Sequence, residues 1–200
     1  ALMADTGEFT GRSPKDKFSV CDDKTENIIW WGDVNQKFDS NKFDALLDKM
    51  LEHYKDKKVY IRDAYACADV RYKLNLQVIN ETAFHNLFCY NMFLRPTAPE
   101  LKNFTGDSLI INAPSFKADA TVDGTRQHNF SIINFSRKIL LVGGSGYTGE
   151  MKKGIFTVLQ YILPQDHGVL SMHCSANIGA GGDTAIFFGH SGTGKTTLSA

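Results

Sequence analysis

The chain has 200 residues, 42% of them hydrophobic and 12% aromatic, with 22 Lys plus Arg against 22 Asp plus Glu. That length and composition support a buried core and exclude both a disordered chain and a disulfide-stapled mini-protein. No apolar run approaches the roughly 18 residues of a membrane span, and a formal net charge of zero provides no field to draw the chain onto nucleic acid or a membrane surface.

In chain order, residues 1 to 17 are polar and turn-rich, centred on Thr10-Gly11-Arg12-Ser13-Pro14-Lys15-Asp16-Lys17. Apolar or β-favouring pieces follow at Phe18 to Cys21 and Ile28 to Trp31. From Ser40, taken as an N-cap, apolar residues fall at Phe43, Leu46, Leu47, Met50, Leu51 and Tyr54, the spacing of an amphipathic helix. Val59 to Ala66 reads as a strand. Tyr72, Leu74, Leu76 and Val78 alternate with polar residues as a second strand with one buried face. Thr82 to Leu94 reads as a helix ended by Arg95-Pro96. Ser108 to Ala113, Phe130 to Phe135 and Lys138 to Val142 are β-rich, with a polar connection from Asp119 to His128. After the glycine-dense turn Gly143 to Gly149, Met151 to Leu163 reads as a helix stopped at Pro164. Val169 to Ser175 and Thr184 to Phe188 are then predicted strands. The fold class expected is α/β: a mixed-sheet first domain over residues 1 to 160, then the first strands of a P-loop nucleotide-binding domain over 161 to 200.

Cys21, Cys67, Cys89 and Cys174 form no C-x-x-C pair and are expected to be reduced thiols of a cytosolic protein. The N-x-S/T triplets at Asn80, Asn103, Asn129 and Asn134 are read as chance, because residues 1 to 5 lack the basic and apolar regions of a signal peptide.

The sharpest chemical signal is Gly189-His190-Ser191-Gly192-Thr193-Gly194-Lys195-Thr196, which fulfils the phosphate-loop pattern G-x-x-x-x-G-K-S/T. Its glycines let backbone N–H groups converge on phosphate oxygens, Lys195 places a charge on the β and γ phosphates, and the Thr196 hydroxyl suits Mg2+. Only four residues follow Thr196, barely one helical turn, so the chain reads as cut just after the loop. Gly144-x-Gly146-x-x-Gly149 formally matches a dinucleotide fingerprint, but no acid ends the next predicted strand, as that motif requires. Lys152 and Lys153 sit at the start of a predicted helix, the end whose dipole already carries positive charge. Such a pair is either solvated or neutralised by a bound anion. Arg12 in its glycine-proline loop is either a solvated arginine or a carboxylate clamp. His173, placed by this reading at the carboxyl end of a strand, is either a core histidine or a ligand. By residues alone, another phosphate-loop kinase or ATPase and a non-catalytic nucleotide-binding fragment stay open.

Taken together, Thr10 to Lys17, Tyr147-x-Gly149-Glu150-Met151-Lys152-Lys153-Gly154, Ser171-Met172-His173-Cys174-Ser175-Ala176-Asn177 and Gly189 to Ser199 resemble, in order, the motifs of the ATP-dependent phosphoenolpyruvate carboxykinases. The resemblance spans the chain and is expected to cover the first half to two thirds of that family's catalytic unit. It implies a cytosolic enzyme of gluconeogenesis or fermentative carbon fixation that converts oxaloacetate and ATP to phosphoenolpyruvate, ADP and CO2 in a cleft between two domains. By the same resemblance, Arg12 and Tyr147 hold the oxaloacetate or phosphoenolpyruvate end, Lys153 and His173 ligate Mn2+ beside substrate and ATP, and Lys152 is a nearby cation. Ser191 lines the cleft, Gly189 through Thr197 with Lys195 cradle ATP, and Thr196 serves Mg2+. His190 stands where the family often carries an apolar residue, and is expected to pack beside the nucleotide. The family's carboxylate metal ligand and further ATP-binding cations are expected beyond Ala200.

Overall fold

The computed structural model describes residues 2–190 and 192–199, which divide into two compact units, one running to Val158 and the other from Leu159. In the first unit, strands β1 (Lys17–Cys21), β2 (Gln36–Asp39), β3 (Tyr60–Ala66), β4 (Leu74–Asn80), β5 (Ser108–Ala113), β6 (Phe130–Asn134) and β7 (Ile139–Gly143) form one sheet in the order β2-β1-β6-β7-β5-β4-β3. Four of its neighbour pairs are parallel, and β3 with β4 and β6 with β7 are antiparallel. The chain is therefore mixed α/β with a mostly parallel mixed sheet.

Side-chain alternation assigns the two faces of that sheet. Phe18, Val20, Ile111, Ile132 and Leu141 lie on one face, where Phe43, Leu46, Leu47 and Met50 of helix α1 (Ser40–His53) join them in a buried cluster. Each fully buried side chain of that size contributes about 1.5–3 kcal/mol. The α1 cap is Asp39, one residue before the expected Ser40; its carboxylate accepts from the Lys42 amide at 2.9 Å. The opposite face carries Leu76, Val78, Ile110 and Leu140, all buried. There Asn80 of β4 and Cys89 of helix α2 (Ala83–Met92) both reach the Met151 sulfur of helix α4 (Gly149–His167), at 3.4 and 3.7 Å. Burial pushes the Cys89 thiol up to about 12, which keeps it an inert thiol. A short helix α3 (Ala98–Leu101) closes the connection to β5 with a capping box from Thr97 to Glu100.

Three expectations fail locally. Ile28 to Trp31 is a turn region, with Trp30 91% exposed, while the polar run Gln36–Asp39 is the edge strand β2. A parallel partner in β1 and one buried residue, Phe38, suffice there. Pro164 lies inside α4, which runs to His167. The helix instead ends at Gly168, whose left-handed φ of +63° lets its amide reach the Pro164 carbonyl at 3.2 Å, a glycine C-terminal motif. Residues 169–174 are not a strand; β8 (Ser175–Ile178) starts only where β9 (Thr184–Phe187) supplies an antiparallel partner. Helix α5 (Lys195–Ser199) closes the second unit.

Candidate functional site

In the first unit the Arg12 loop is held at its far end by Asp16. This carboxylate is 1% exposed, takes two hydrogen bonds from Arg126 (2.8 and 3.0 Å) and one from Gln127 (2.8 Å), and is also bonded by the Ser13 hydroxyl. Burial by itself would raise its pKa, but the bonds from Arg126, Ser13 and Gln127 outweigh that and hold the carboxyl below the ordinary carboxylate range. The Ser13 amide donates to Glu150 Oε1 at 3.3 Å, and Lys17 Nζ lies 2.8 Å from Glu150 Oε2. Glu150 is the second residue of α4, so the Arg12 motif and the Tyr147–Lys153 motif meet in space although 137 positions separate Ser13 from Glu150. Arg12 is exposed, and among the described residues no hydrogen bond or ion pair ties its guanidinium.

The glycines before α4 serve close packing. Gly144, at φ +66°, would bring a Cβ within 2.5 Å of the His128 carbonyl oxygen, and a Cβ on Gly146 would meet Asp5 O and Thr6 Cα at 2.7 Å. Backbone of the same chain thus covers the glycines where a dinucleotide pyrophosphate would have to approach, which removes the fingerprint reading. A Cβ on Gly149 would fall 2.5 Å from the Tyr147 hydroxyl oxygen; its absence lets that half-buried ring fold over the start of α4. The Gly146 carbonyl is held from beneath by His85 Nε2 at 3.0 Å, while His85 Nδ1 sits 2.7 Å from the Thr82 hydroxyl. A carbonyl only accepts, so Nε2 carries the proton and Nδ1 accepts from Thr82. Burial depresses the His85 pKa, partly opposed by the bond to Gly146 and the charge of Glu81, and keeps the ring neutral.

Lys152 and Lys153 are the fourth and fifth residues of α4, in its N-terminal part as expected. Lys152 is exposed; Lys153 is half-buried with its ammonium 5.4 Å from the centre of the Phe156 ring.

In the second unit His173 is exposed and precedes β8 by two residues, rather than ending a strand as its neighbours suggested. Among the described residues of the glycine-rich segment, Gly192 and Gly194 adopt φ of +83° and +87°, and a Cβ on Gly189 would meet the Thr193 hydroxyl at 2.5 Å. Lys195 Nζ folds back over the loop, donating to the carbonyls of Gly189 (2.7 Å) and His190 (2.8 Å), and the Thr193 hydroxyl donates to His190 O at 2.9 Å. Ser175 of β8 donates to the Lys195 carbonyl at 2.9 Å and fastens the loop to the hairpin. His190, Thr196 and Thr197 are exposed; Ser191 lies outside the described residues. Among the described residues, no three His, Cys, Asp or Glu side chains group as a metal site, and no helix is long and apolar enough to cross a membrane.

Sequence reasoning passed over Asp16, Glu150, His85, Arg126 and Gln127. A faint signal existed for two of them: Asp16 is the lone acid between two lysines, and Glu150 is an acid in the first turn of a helix otherwise opened by cations.

The sequence matches the family model described as phosphoenolpyruvate carboxykinase over residues 1–200. It is 62% identical over 200 residues to the phosphoenolpyruvate carboxykinase (ATP) of Christiangramia forsetii and 59% identical to that of Flavobacterium johnsoniae, covering all of this chain and 38% of each relative. The Deinococcus radiodurans protein of the same name is 51% identical over 191 residues, 96% of this chain and 41% of that one. The chain thus spans under two fifths of the first relatives' length.

Proposed function

The chain belongs to the ATP-dependent phosphoenolpyruvate carboxykinase family, and from that premise we propose that it carries the oxaloacetate end and the phosphate loop of an enzyme that makes phosphoenolpyruvate, ADP and CO2 from oxaloacetate and ATP. The observation that carries this reading is the docking of the Arg12 loop onto the start of α4 through Glu150. It gathers a guanidinium, a tyrosine and two lysines in one unit of a chain that also holds a complete phosphate loop. On this reading residues 1–160 are the substrate domain and 161–200 the opening of the P-loop domain, in a cytoplasmic enzyme of gluconeogenesis.

The chemistry sets the demands. The bond between C3 and C4 of oxaloacetate breaks and CO2 departs. The electron pair left behind forms the enolate of pyruvate, whose oxygen attacks the γ-phosphorus as the bond to the β-phosphate oxygen breaks and ADP leaves. Arg12 and Tyr147 hold the substrate carboxylate, with the fork of the guanidinium suited to two parallel hydrogen bonds. Lys152 makes the potential around the growing negative charge more positive and so stabilises it. In the loop, Gly189 to Thr197 with Ser191 and His190 surround the triphosphate, and Lys195 exchanges its two carbonyl partners for β and γ phosphate oxygens.

Lys153 and His173 are the residues that would hold Mn2+, and Thr196 the one that would serve Mg2+ with the nucleotide. An amine and an imidazole nitrogen fit a divalent transition ion, provided that Lys153 is neutral, and they leave its other positions to oxygen. Lys153 is half-buried on α4, next in sequence to Lys152. Held there, Mn2+ would supply positive charge that stabilises the enolate oxygen.

The test is Mn2+-dependent release of CO2 from oxaloacetate in the presence of ATP, using the full-length protein that contains this chain, alongside its Lys195→Ala variant. The wild type is expected to release CO2 and form ADP and phosphoenolpyruvate in equal amounts, and the variant to lose phosphoryl transfer while remaining folded. ATP turnover indifferent to oxaloacetate would replace this reading with that of a different phosphate-loop kinase or ATPase.

A further inference from the structure

Glu150 is 4% exposed on a helix whose next buried side chains are Met151 and Ile155. A carboxylate at such a place costs desolvation unless it is paired. Here it is compensated three times: by the Ser13 amide at 3.3 Å, by the Lys17 ammonium at 2.8 Å, and by the positive end of the α4 dipole. All three partners are structural, and both that come from other segments belong to the Arg12 loop or to the strand it leads into. Arg12 itself has no side-chain tether among the described residues, and its neighbour Gly11 has nothing within 4 Å of a Cβ position. The backbone position of Arg12 is therefore governed from its other side, at Ser13, which Asp16 holds within the loop and Glu150 ties to α4. Two and three positions beyond Glu150, on the same rigid helix, stand Lys152 and Lys153, and Tyr147 folds over the helix start through Gly149.

We propose that Glu150 is a positioning residue that fixes the distance between the Arg12 guanidinium and the Tyr147–Lys153 helix start, and so sets the affinity for the carboxylate-bearing substrate. Glu150 acts through Arg12 and touches no substrate. The inference rests on the reading of Arg12 as a carboxylate ligand given above. Its physical content is that a salt-linked buried acid ties two segments far apart in sequence, whereas an apolar residue at position 150 would leave the Arg12 loop anchored to Asp16 but no longer tied to the start of α4.

The experiment is a double-mutant cycle in the full-length enzyme, with KM for oxaloacetate and for ATP measured for Arg12→Gln, Glu150→Met and the pair. Methionine fills the volume and removes both links; Glu150→Gln keeps an acceptor for the Ser13 amide and loses the pairing with Lys17. Displacing a guanidinium by about 1 Å is worth on the order of 10- to 100-fold. Glu150→Met is expected to raise the oxaloacetate KM by at least about 10-fold with the ATP KM within about twofold, Glu150→Gln is expected to fall between it and wild type, and the pair is expected to match Arg12→Gln alone. If Arg12→Gln raises the oxaloacetate KM while Glu150→Met leaves it unchanged, multiplies it further in the pair, or raises the ATP KM equally, the positioning role is overturned and the Arg12 assignment survives. If Arg12→Gln itself leaves the oxaloacetate KM unchanged, the carboxylate reading falls and the positioning role with it. Should Glu150→Met not accumulate as folded protein, Glu150→Gln and Lys17→Met make the same comparison, each removing one half of the link.

Discussion

Replacing Gly144 by alanine tests whether close backbone approach is what shapes the turn before α4. Two costs combine at this position. The left-handed φ of +66° costs an L-residue about 1–2 kcal/mol. The new methyl would also stand 2.5 Å from His128 O and 2.9 Å from Asn129 Cα, both backbone atoms. Those atoms are not free to retreat, because His128 O accepts from the Ala118 amide at 3.0 Å and the next residue, Phe130, is in register with Gly143 in the sheet. Forcing an extra carbon into such a contact costs roughly 1–3 kcal/mol, and the lost freedom of the unfolded glycine returns about 0.4–1 kcal/mol. The net destabilisation is about 2–4 kcal/mol. Gly7→Ala is the control: its φ is +61° but nothing lies within 4 Å of its Cβ position, so only the conformational part, near 1 kcal/mol, applies. Equilibrium urea unfolding followed by tryptophan fluorescence reads the difference, since Trp30 and Trp31 both lie in the first unit. At an unchanged slope the midpoint for Gly144→Ala should fall by about 1–2 M. Equal midpoints for the two variants would refute the steric argument and leave the turn determined by φ alone.

Two further perturbations address titrating groups. Asp16 has its pKa held below the usual carboxylate value, so its stabilisation is present above about pH 4 and is lost as pH falls through the lower folded value. Asp16→Asn should lower stability at pH 7 by about 1–3 kcal/mol, toward the low end because Arg126 is half exposed, and should flatten the acid limb of the stability curve below pH 4; an acid limb identical to wild type would contradict the assignment. His85 has a depressed pKa, so its stabilisation is complete above about pH 6.5 and declines as pH falls below that value toward the folded one. In His85→Gln, which keeps an N–H donor for the Gly146 carbonyl, the fall in melting temperature between pH 7 and pH 5 should shrink, and an undiminished fall would show that the buried ring is not the group that titrates.

Helix α1 and strand β4 were legible because each buries a single face and writes its own period into the chain: Phe43, Leu46, Leu47 and Met50 in the helix, Leu74, Leu76 and Val78 in the strand. The pattern Gly189 to Thr196 stood out for a different reason, since its glycines and Lys195 fall at the fixed spacing of a known motif. Strand β2 was not, because an edge strand with one buried residue has no pattern to show, and its existence depends on β1 beside it. The same dependence misplaced β8: residues 169–174 look as β-favouring as those that follow, but a ladder forms only opposite β9. Pro164 failed as a stop because helix termination was decided by the left-handed Gly168 four residues later.

The sequence by itself determined the mixed α/β character, the family motifs and the residue types suited to phosphate and carboxylate, all of which rest on interactions between near neighbours. Only the tertiary structure decided the order of the sheet, the burial of Asp16 against Arg126 110 positions away, and the grip of Glu150 on Ser13 137 positions away. The reason is physical: a buried carboxylate is tolerated only where the fold delivers its partners, and no local pattern records a partner brought from the far end of the chain.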